Sequence, residues 1–109
     1  MGEKSKYQDW QVWKDAIEVA CEVIGFDDLG LLDDQVKRTA VSIPANIAEG
    51  ASGDRSNYGK ARRATARLET YLILLNKKFN LSDEDLNSLL ELLQSIQAQL
   101  GAIMKKVSY

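Results

Sequence analysis

The sequence predicts an all-α protein, an up-down-up-down antiparallel four-helix bundle whose second helix is kinked at Pro44. Apolar residues recur at steps of three and four in four successive segments. The connections between these segments are short and polar, and no segment shows the alternation of a strand. Since short connections place consecutive helices side by side in opposite directions, a bundle follows. The 109 residues fit one domain, 1–109, of which 1–7 form a polar N-terminal tail.

The first helix is predicted at about 8–25. Its stripe steps by three and four through Trp10, Trp13, Ile17, Ala20 and Ile24. Because buried aromatic side chains dominate such packing, we interpret the two tryptophans as core or subunit contacts. The single Cys21 has no partner for an internal disulfide, and its apolar neighbours in the sequence predict a packed thiol.

The second helix, at about 30–49, contains the only proline of the chain. Its apolar stripe is Leu32, Val36, Ala40, Ile43 and Ile47, which continues on both sides of Pro44. Pro44 lacks an N–H and its ring crowds the carbonyl of Ala40, so a bend is expected, with the hydroxyls of Thr39 and Ser42 near enough to help. We expect Gly50 to supply the positive φ that often ends a helix. A kinked core helix is the favoured interpretation over a binding site at the kink.

The third helix is predicted at about 57–79. Ser56 is the expected N-cap, with Asp54 also near the positive end of the helix. The inner stripe is Tyr58, Ala61, Ala64, Thr65, Leu68, Leu72 and Leu75. The small residues in its first half should let neighbouring backbones approach closely.

The fourth helix begins with the Ser82 hydroxyl followed by three acidic residues in the first turn, which the helix dipole favours. Its seam is Leu86, Leu89, Leu93, Ile96, Leu100, Ile103 and Val107, a spacing typical of coiled-coil packing. Further apolar residues lie outside this seam, at Leu90, Leu92, Ala98 and Met104. That surplus indicates oligomerisation.

The sequence lacks the residues that several kinds of catalysis and metal binding require. The chain contains no histidine, which excludes Ser-His-Asp and Cys-His catalysis and the Glu-x-x-His ligands of di-iron bundles. The acidic junction, formed by Asp27, Asp28, Asp33 and Asp34, lacks the EF-hand pattern and is interpreted as solvated acids rather than a metal site. Glu49 and Glu69 are weak candidates for a catalytic carboxylate pair. We therefore predict no catalytic residue, no metal and no cofactor.

Positive charge is concentrated although the formal net charge is −2. Five cations fall within thirteen residues that contain no acid, from Arg55 to Arg67. Lys60, Arg63 and Arg67 share one helix face and Arg62 flanks them, while Lys37 and Arg38 precede Pro44 and extend the patch. These six are the candidate nucleic-acid-binding residues: Lys37, Arg38, Lys60, Arg62, Arg63 and Arg67. The alternative is a solvated or intersubunit salt-bridged face. Nearby aromatic residues are sparse, only Tyr58 and Tyr71, so base stacking is weakly indicated.

No run approaches the roughly 18 apolar residues of a membrane span, and no apolar segment follows the charged N-terminus. The expected location is therefore the cytoplasm, without a membrane partner.

The chain resembles the four-helix-bundle family encoded in intervening sequences of bacterial 23S ribosomal RNA genes, which includes accessory variability proteins of diversity-generating retroelements. The likeness rests on three segments: residues 13–16, the run 36–50, and Leu68-Glu69-Thr70. Of these, 42–50 is the most specific. The resemblance implies the same bundle, a homo-oligomer (commonly a pentamer), and a basic surface that in the retroelement branch binds nucleic acid and a reverse transcriptase. Compared with the family pattern, the link between helices one and two and the stretch from Gly50 to Leu68 are shorter.

Two functions compete. The first is a non-enzymatic homo-oligomeric accessory protein that binds RNA or DNA through the basic helix face and assists a reverse transcriptase or another partner. The second is a protein–protein interaction scaffold that does not bind nucleic acid. An enzyme is the third and weakest hypothesis.

Overall fold

A computed structural model describes residues 6–107 of the chain. They form four α-helices: α1 (Gln11–Ile24), α2 (Asp33–Ala51), α3 (Ser56–Lys78) and α4 (Asp83–Val107). Short 3₁₀ turns precede α1 and α2, at Tyr7–Asp9 and Gly30–Leu32, and these described residues include no strand. The all-α prediction is confirmed, and the 3₁₀ turns account for the later start of α1 and α2 than the periodicity suggested.

The helices surround a single core in ring order. Helix α1 packs on α2, α2 on α3, α3 on α4, and α4 returns to α1. In α2, α3 and α4 the largest fully buried side chains are those of the predicted stripes, at Ile43, Ile47, Leu68, Leu72, Leu75, Leu89, Leu93, Ile96 and Leu100. In α1 the buried apolar residues are Val12, Ala16, Val19, Ala20 and Val23, whereas Ile24 of the predicted stripe is 50% exposed. The burial of apolar area from all four helices stabilises this arrangement, at about 25 cal/mol per Å².

Helix α2 runs through Pro44 without interruption, and the proline is buried. The Ser42 hydroxyl donates to the carbonyl of Thr39 at 2.7 Å, not to that of Ala40. This bond holds the Ser42 side chain against its own helix before the proline, but it supplies no partner to the Ala40 carbonyl, which Pro44 leaves without a backbone N–H. The predicted bend at Pro44 stays a prediction.

Gly50 does not have the role that the sequence suggested. It lies inside α2, and positive φ occurs later, at Gly53 (145°). The Tyr58 ring of α3 packs directly against the Gly50 backbone, so a Cβ on Gly50 would lie 2.7 Å from the nearest ring atom. Gly50 is therefore a close-packing residue rather than a helix terminator.

The start of α3 also corrects an expectation. Ser56 is the first helical residue rather than the cap. Asp54 accepts hydrogen bonds from the Ser56 N–H at 3.2 Å and from its hydroxyl at 2.6 Å. The carboxylate thus satisfies a free N–H at the positive end of the helix. At α4 the prediction is confirmed, because the Ser82 hydroxyl accepts the Asp85 N–H at 3.1 Å.

The buried acidic residue Asp15 links α1 to α4 through hydrogen bonds. Asp15 of α1 is 9% exposed and accepts amide hydrogen bonds from Gln11 at 2.8 Å and from Gln99 of α4 at 3.0 Å.

Cys21, predicted to be packed, is exposed, because it lies on the outer side of α1. Trp10 and Trp13 are half-buried against the core. None of the helices described is both long and apolar enough to cross a bilayer.

Candidate nucleic-acid interface

Helix α3 places three of its cations toward α2. Lys60, Arg63 and Arg67 lie at steps of three and four, which puts them on one face of the helix. They line a cavity of about 250 Å³ together with Ser42 and Asn46 of α2. The shared face predicted for these three residues is therefore present in the structure.

A second cavity, of about 320 Å³, continues along the same helix pair. It is lined by Arg38 and Thr39 of α2 and by Arg67 and Tyr71 of α3. Ser42 and Arg67 line both cavities, which joins them into one groove. We call this the basic groove, and its lining is Gln35, Arg38, Thr39, Ser42, Asn46, Lys60, Arg63, Ala64, Arg67 and Tyr71.

Apart from Arg38, the α2 side of the basic groove contributes polar but uncharged groups. The Ser42 hydroxyl donates to the Thr39 carbonyl, and the Asn46 amide donates to the Ser42 carbonyl at 2.9 Å. These bonds fix both side chains against their own helix. No carboxylate of residues 6–107 lines either cavity. The positive charge of the groove is thus not neutralised by an acid within its own walls.

The other two predicted cations lie elsewhere. Arg62 lines a cavity between α3 and α4, with a guanidinium nitrogen 3.6 Å from the position that a Cβ on Gly101 would occupy. Lys37 forms an ion pair with Asp33, one turn earlier, at 3.1 Å. Lys37 is not part of the basic groove lining. The structure therefore brings together four of the six candidates.

Arg38 is in the groove but also has an acidic neighbour. Its Nε lies 3.1 Å from a carboxylate oxygen of Asp34, and the two side chains are 78% and 75% exposed. Such an exposed i,i+4 pair stabilises a helix by only about 0.3–0.5 kcal/mol. The pairing therefore leaves Arg38 able to exchange Asp34 for a stronger anion such as phosphate.

The two nearby tyrosines have different environments. Tyr58 is 3% exposed beneath Gly50, and burial raises the pKa of its hydroxyl, an effect that the charge of Arg55 partly offsets. Tyr71 is half-buried and lines the basic groove beside Arg38 and Arg67. Sequence reasoning did not count Tyr71 as a site residue, although its position four residues after Arg67 continues the 60-63-67 steps.

Other candidate sites receive little support from the geometry. Within residues 6–107 no group of three or more metal-ligating side chains comes together. Asp33 and Asp34 occupy the first turn of α2 and pair with cations one turn later. Glu49 is exposed, and Glu69 is half-buried with one buried carboxylate oxygen that has no partner in the described part of the chain. The two glutamates do not share an environment.

Comparison with known protein families gives a match over most of the chain. The family model described as "23S rRNA-intervening sequence protein" matches residues 8–102. Neither curated proteins nor solved structures gave a match. The matched region includes all of α1, α2 and α3 and most of α4. The chain belongs to the 23S rRNA-intervening sequence protein family.

Proposed function

We propose that this protein is a non-enzymatic, homo-oligomeric accessory protein that binds RNA or DNA through the basic groove. The observation that carries the proposal is the convergence of Arg38, Lys60, Arg63 and Arg67 on one groove without a carboxylate in its lining. Phosphate contacts from such side chains release condensed counterions, which supplies most of the affinity in sequence-independent binding.

The location of the charge matters more than its total. The whole chain has a formal net charge of −2, so non-specific attraction of a polyanion to the entire surface is weak. Asp33 and Asp34 partner cations of α2, whereas the three cations of the α3 face have no acid within ion-pair distance among the described residues. Binding should therefore be local to the groove.

Self-association would multiply this local charge. The resemblance to the retroelement branch implies a pentamer, in which five copies of the groove act on one strand, and it implies a reverse transcriptase as partner. Linked copies raise avidity without any new contact in the groove. We include both the oligomer and the reverse transcriptase in the proposal.

The direct test is binding of a fluorescent 20-nucleotide RNA or DNA, measured by anisotropy at several salt concentrations. The wild type should bind at 50 mM salt, with an affinity that falls as salt rises. The double variant Arg63→Glu, Arg67→Glu should bind at least tenfold more weakly. Its slope of log affinity against log salt should fall by about 1.4–1.8, since each lost phosphate contact removes about 0.7–0.9.

The matched control is Lys77→Glu, Lys78→Glu, which makes the same charge change on two exposed residues at the end of the same helix. This control should retain most of the affinity. No binding of the wild type at 50 mM salt, or an equal loss in the two variants, would refute the proposal. Circular dichroism establishes that both variants are helical.

The second candidate, a protein-interaction scaffold, is favoured by apolar side chains that the fold leaves exposed. Val41 of α2 is 42% exposed, and Ile73 and Leu74 of α3 are 38% and 43% exposed. Light scattering of the purified chain reports self-association, and a pull-down with and without nuclease then separates the two functions. Partners retained after nuclease treatment support the scaffold, and partners lost with the nucleic acid support the first proposal.

A further inference from the structure

The basic groove differs at its two ends. At the Lys60 end its lining is cationic and polar, whereas at the Arg38 end Tyr71 contributes a half-buried aromatic ring. Among the described residues, the Tyr71 ring has no ion or aromatic ring as a partner. It is a candidate for contact with a flat ligand group.

The spacing along α3 is regular. Lys60, Arg63, Arg67 and Tyr71 follow one another at steps of three, four and four, so their Cα atoms advance along the helix axis by about 4.5, 6 and 6 Å. Three cations in a row followed by an aromatic ring form a linear arrangement. Arg38 approaches the last step from α2, because it lines the same cavity as Arg67 and Tyr71.

We propose that the basic groove binds a single-stranded segment of nucleic acid, with consecutive phosphates on Lys60, Arg63 and Arg67 and one base stacked on Tyr71. This inference rests on the proposed function and specifies its ligand. A charged groove that follows the backbone, combined with an aromatic ring that stacks a base, is how proteins hold single strands without reading sequence.

A duplex fits these features less well. Packed helix axes are about 8–10 Å apart, so the groove between α2 and α3 offers room for one strand. The bases of a duplex are stacked inside the double helix and present no free face to Tyr71. A duplex would therefore use only the cations.

Stacking on Tyr71 predicts weak sequence preference. The Ser42 hydroxyl hydrogen and one amide hydrogen of Asn46 are already bonded to backbone carbonyls, so these two hydrogens are not free to read base edges. Stacking tolerates every base because each has a π-face.

The first test uses the wild-type protein and four probes of twelve nucleotides: oligo-dT, oligo-U, a DNA duplex, and an abasic DNA strand with the same phosphates. Both single strands should bind at least fivefold more tightly than the duplex at equal salt. The abasic strand should bind about 5- to 150-fold more weakly than oligo-dT, the range expected for one stacked base. Comparison of oligo-U with oligo-dT shows which sugar is preferred.

The second test uses a matched pair of variants at Tyr71. Tyr71→Leu keeps apolar bulk but removes the ring, and it should lose single-strand affinity in the same range, with an unchanged salt slope. Tyr71→Phe keeps the ring and should bind within about twofold of wild type. A distorted groove would also change the salt slope, so this readout separates stacking from a structural role. If Tyr71→Leu does not fold, the abasic strand decides.

The outcomes separate the two proposals. If duplex, abasic strand and single strands bind equally and all depend on Arg63 and Arg67, the single-strand inference is wrong and the nucleic-acid function stands. If none of the probes binds at low salt, both are wrong.

Discussion

Each end of the α2/α3 interface contains a tyrosine of α3, but the two tyrosines differ in how far they are buried. At one end, Gly50 of α2 lies on the ring of Tyr58, which is 3% exposed. At the other end, Arg38 and Tyr71 line an open cavity of about 320 Å³. One tyrosine is part of the core, and the other is half-buried against the core and lines the basic groove.

This difference shows how a small bundle holds a charged groove without loss of its core. A glycine permits direct contact between backbone and ring at the closed end. Long cationic side chains at the open end keep their charges in water and line a surface cavity along the two helices. Substitutions at the closed end should therefore change stability, whereas those at the open end should change binding.

The largest stability effect is expected for Gly50→Ala. The new Cβ would lie 2.7 Å from the Tyr58 ring, so the packing must shift. Overpacking costs about 1–3 kcal/mol and alanine gains roughly 1 kcal/mol over glycine in a helix, so the net loss of stability is up to about 2 kcal/mol. We expect the Tm to fall by about 5–10 °C in thermal unfolding followed by circular dichroism.

Gly101→Ala in α4 is the matched control. Its nearest non-local atom would be a guanidinium nitrogen of Arg62 at 3.6 Å, an ordinary contact at the end of a flexible side chain. This variant should gain about 0.5–1 kcal/mol from helix propensity. In a Tyr58→Leu background, Gly50→Ala should cost less than in the wild type because the ring is absent. Equal stability of Gly50→Ala and wild type would show that the contact relaxes freely.

Fold and site were predictable to different degrees for a physical reason. The four helices could be predicted because each apolar stripe repeats over many positions, as at Leu68, Leu72 and Leu75, so that no single residue decides the prediction. A site depends on single side chains, and on a helix the side-chain direction rotates by about 100° from one residue to the next. Arg62 and Arg63 are adjacent in the sequence and both line the cavity toward α4, but only Arg63 also lines the basic groove.

The residues that sequence reasoning misjudged are those whose role depends on a neighbouring element. Glycine is a residue type typical of helix ends, but the role of Gly50 is determined by the ring of Tyr58 on another helix. Cys21 has apolar neighbours in sequence but lies on the exposed side of α1. Residue types do not specify the local geometry on which two hydrogen bonds depend. These are the bond from the Ser42 hydroxyl to the Thr39 carbonyl and the bond from the Ser56 N–H to the Asp54 carboxylate.

The smallest effect is expected at Asp54, which precedes the closed end of α3. Hydrogen bonds from the side chain and backbone of Ser56, with a contribution from the charge of Lys60, lower the pKa of Asp54 below its usual 3.8. A carboxyl whose pKa is lower in the folded state binds fewer protons there than in the unfolded chain. Its stabilisation is therefore complete above about pH 4 and is lost as the pH falls through the folded-state pKa. Asp54→Ala should lower the Tm at pH 7, and its difference from wild type should shrink below pH 3.8.

Asp54→Asn separates the charge from the cap. Asparagine is as good an N-cap as aspartate, because its side-chain oxygen can accept the same N–H, but it does not titrate. This variant should keep most of the stability at pH 7 and lose the acid-dependent part of the difference. If Asp54→Ala and Asp54→Asn were equally unstable at pH 7, charge rather than hydrogen bonding would be the source of the stabilisation. If the difference between Asp54→Ala and wild type were the same at pH 7 and pH 2.5, the carboxylate would not be the group that holds the start of α3.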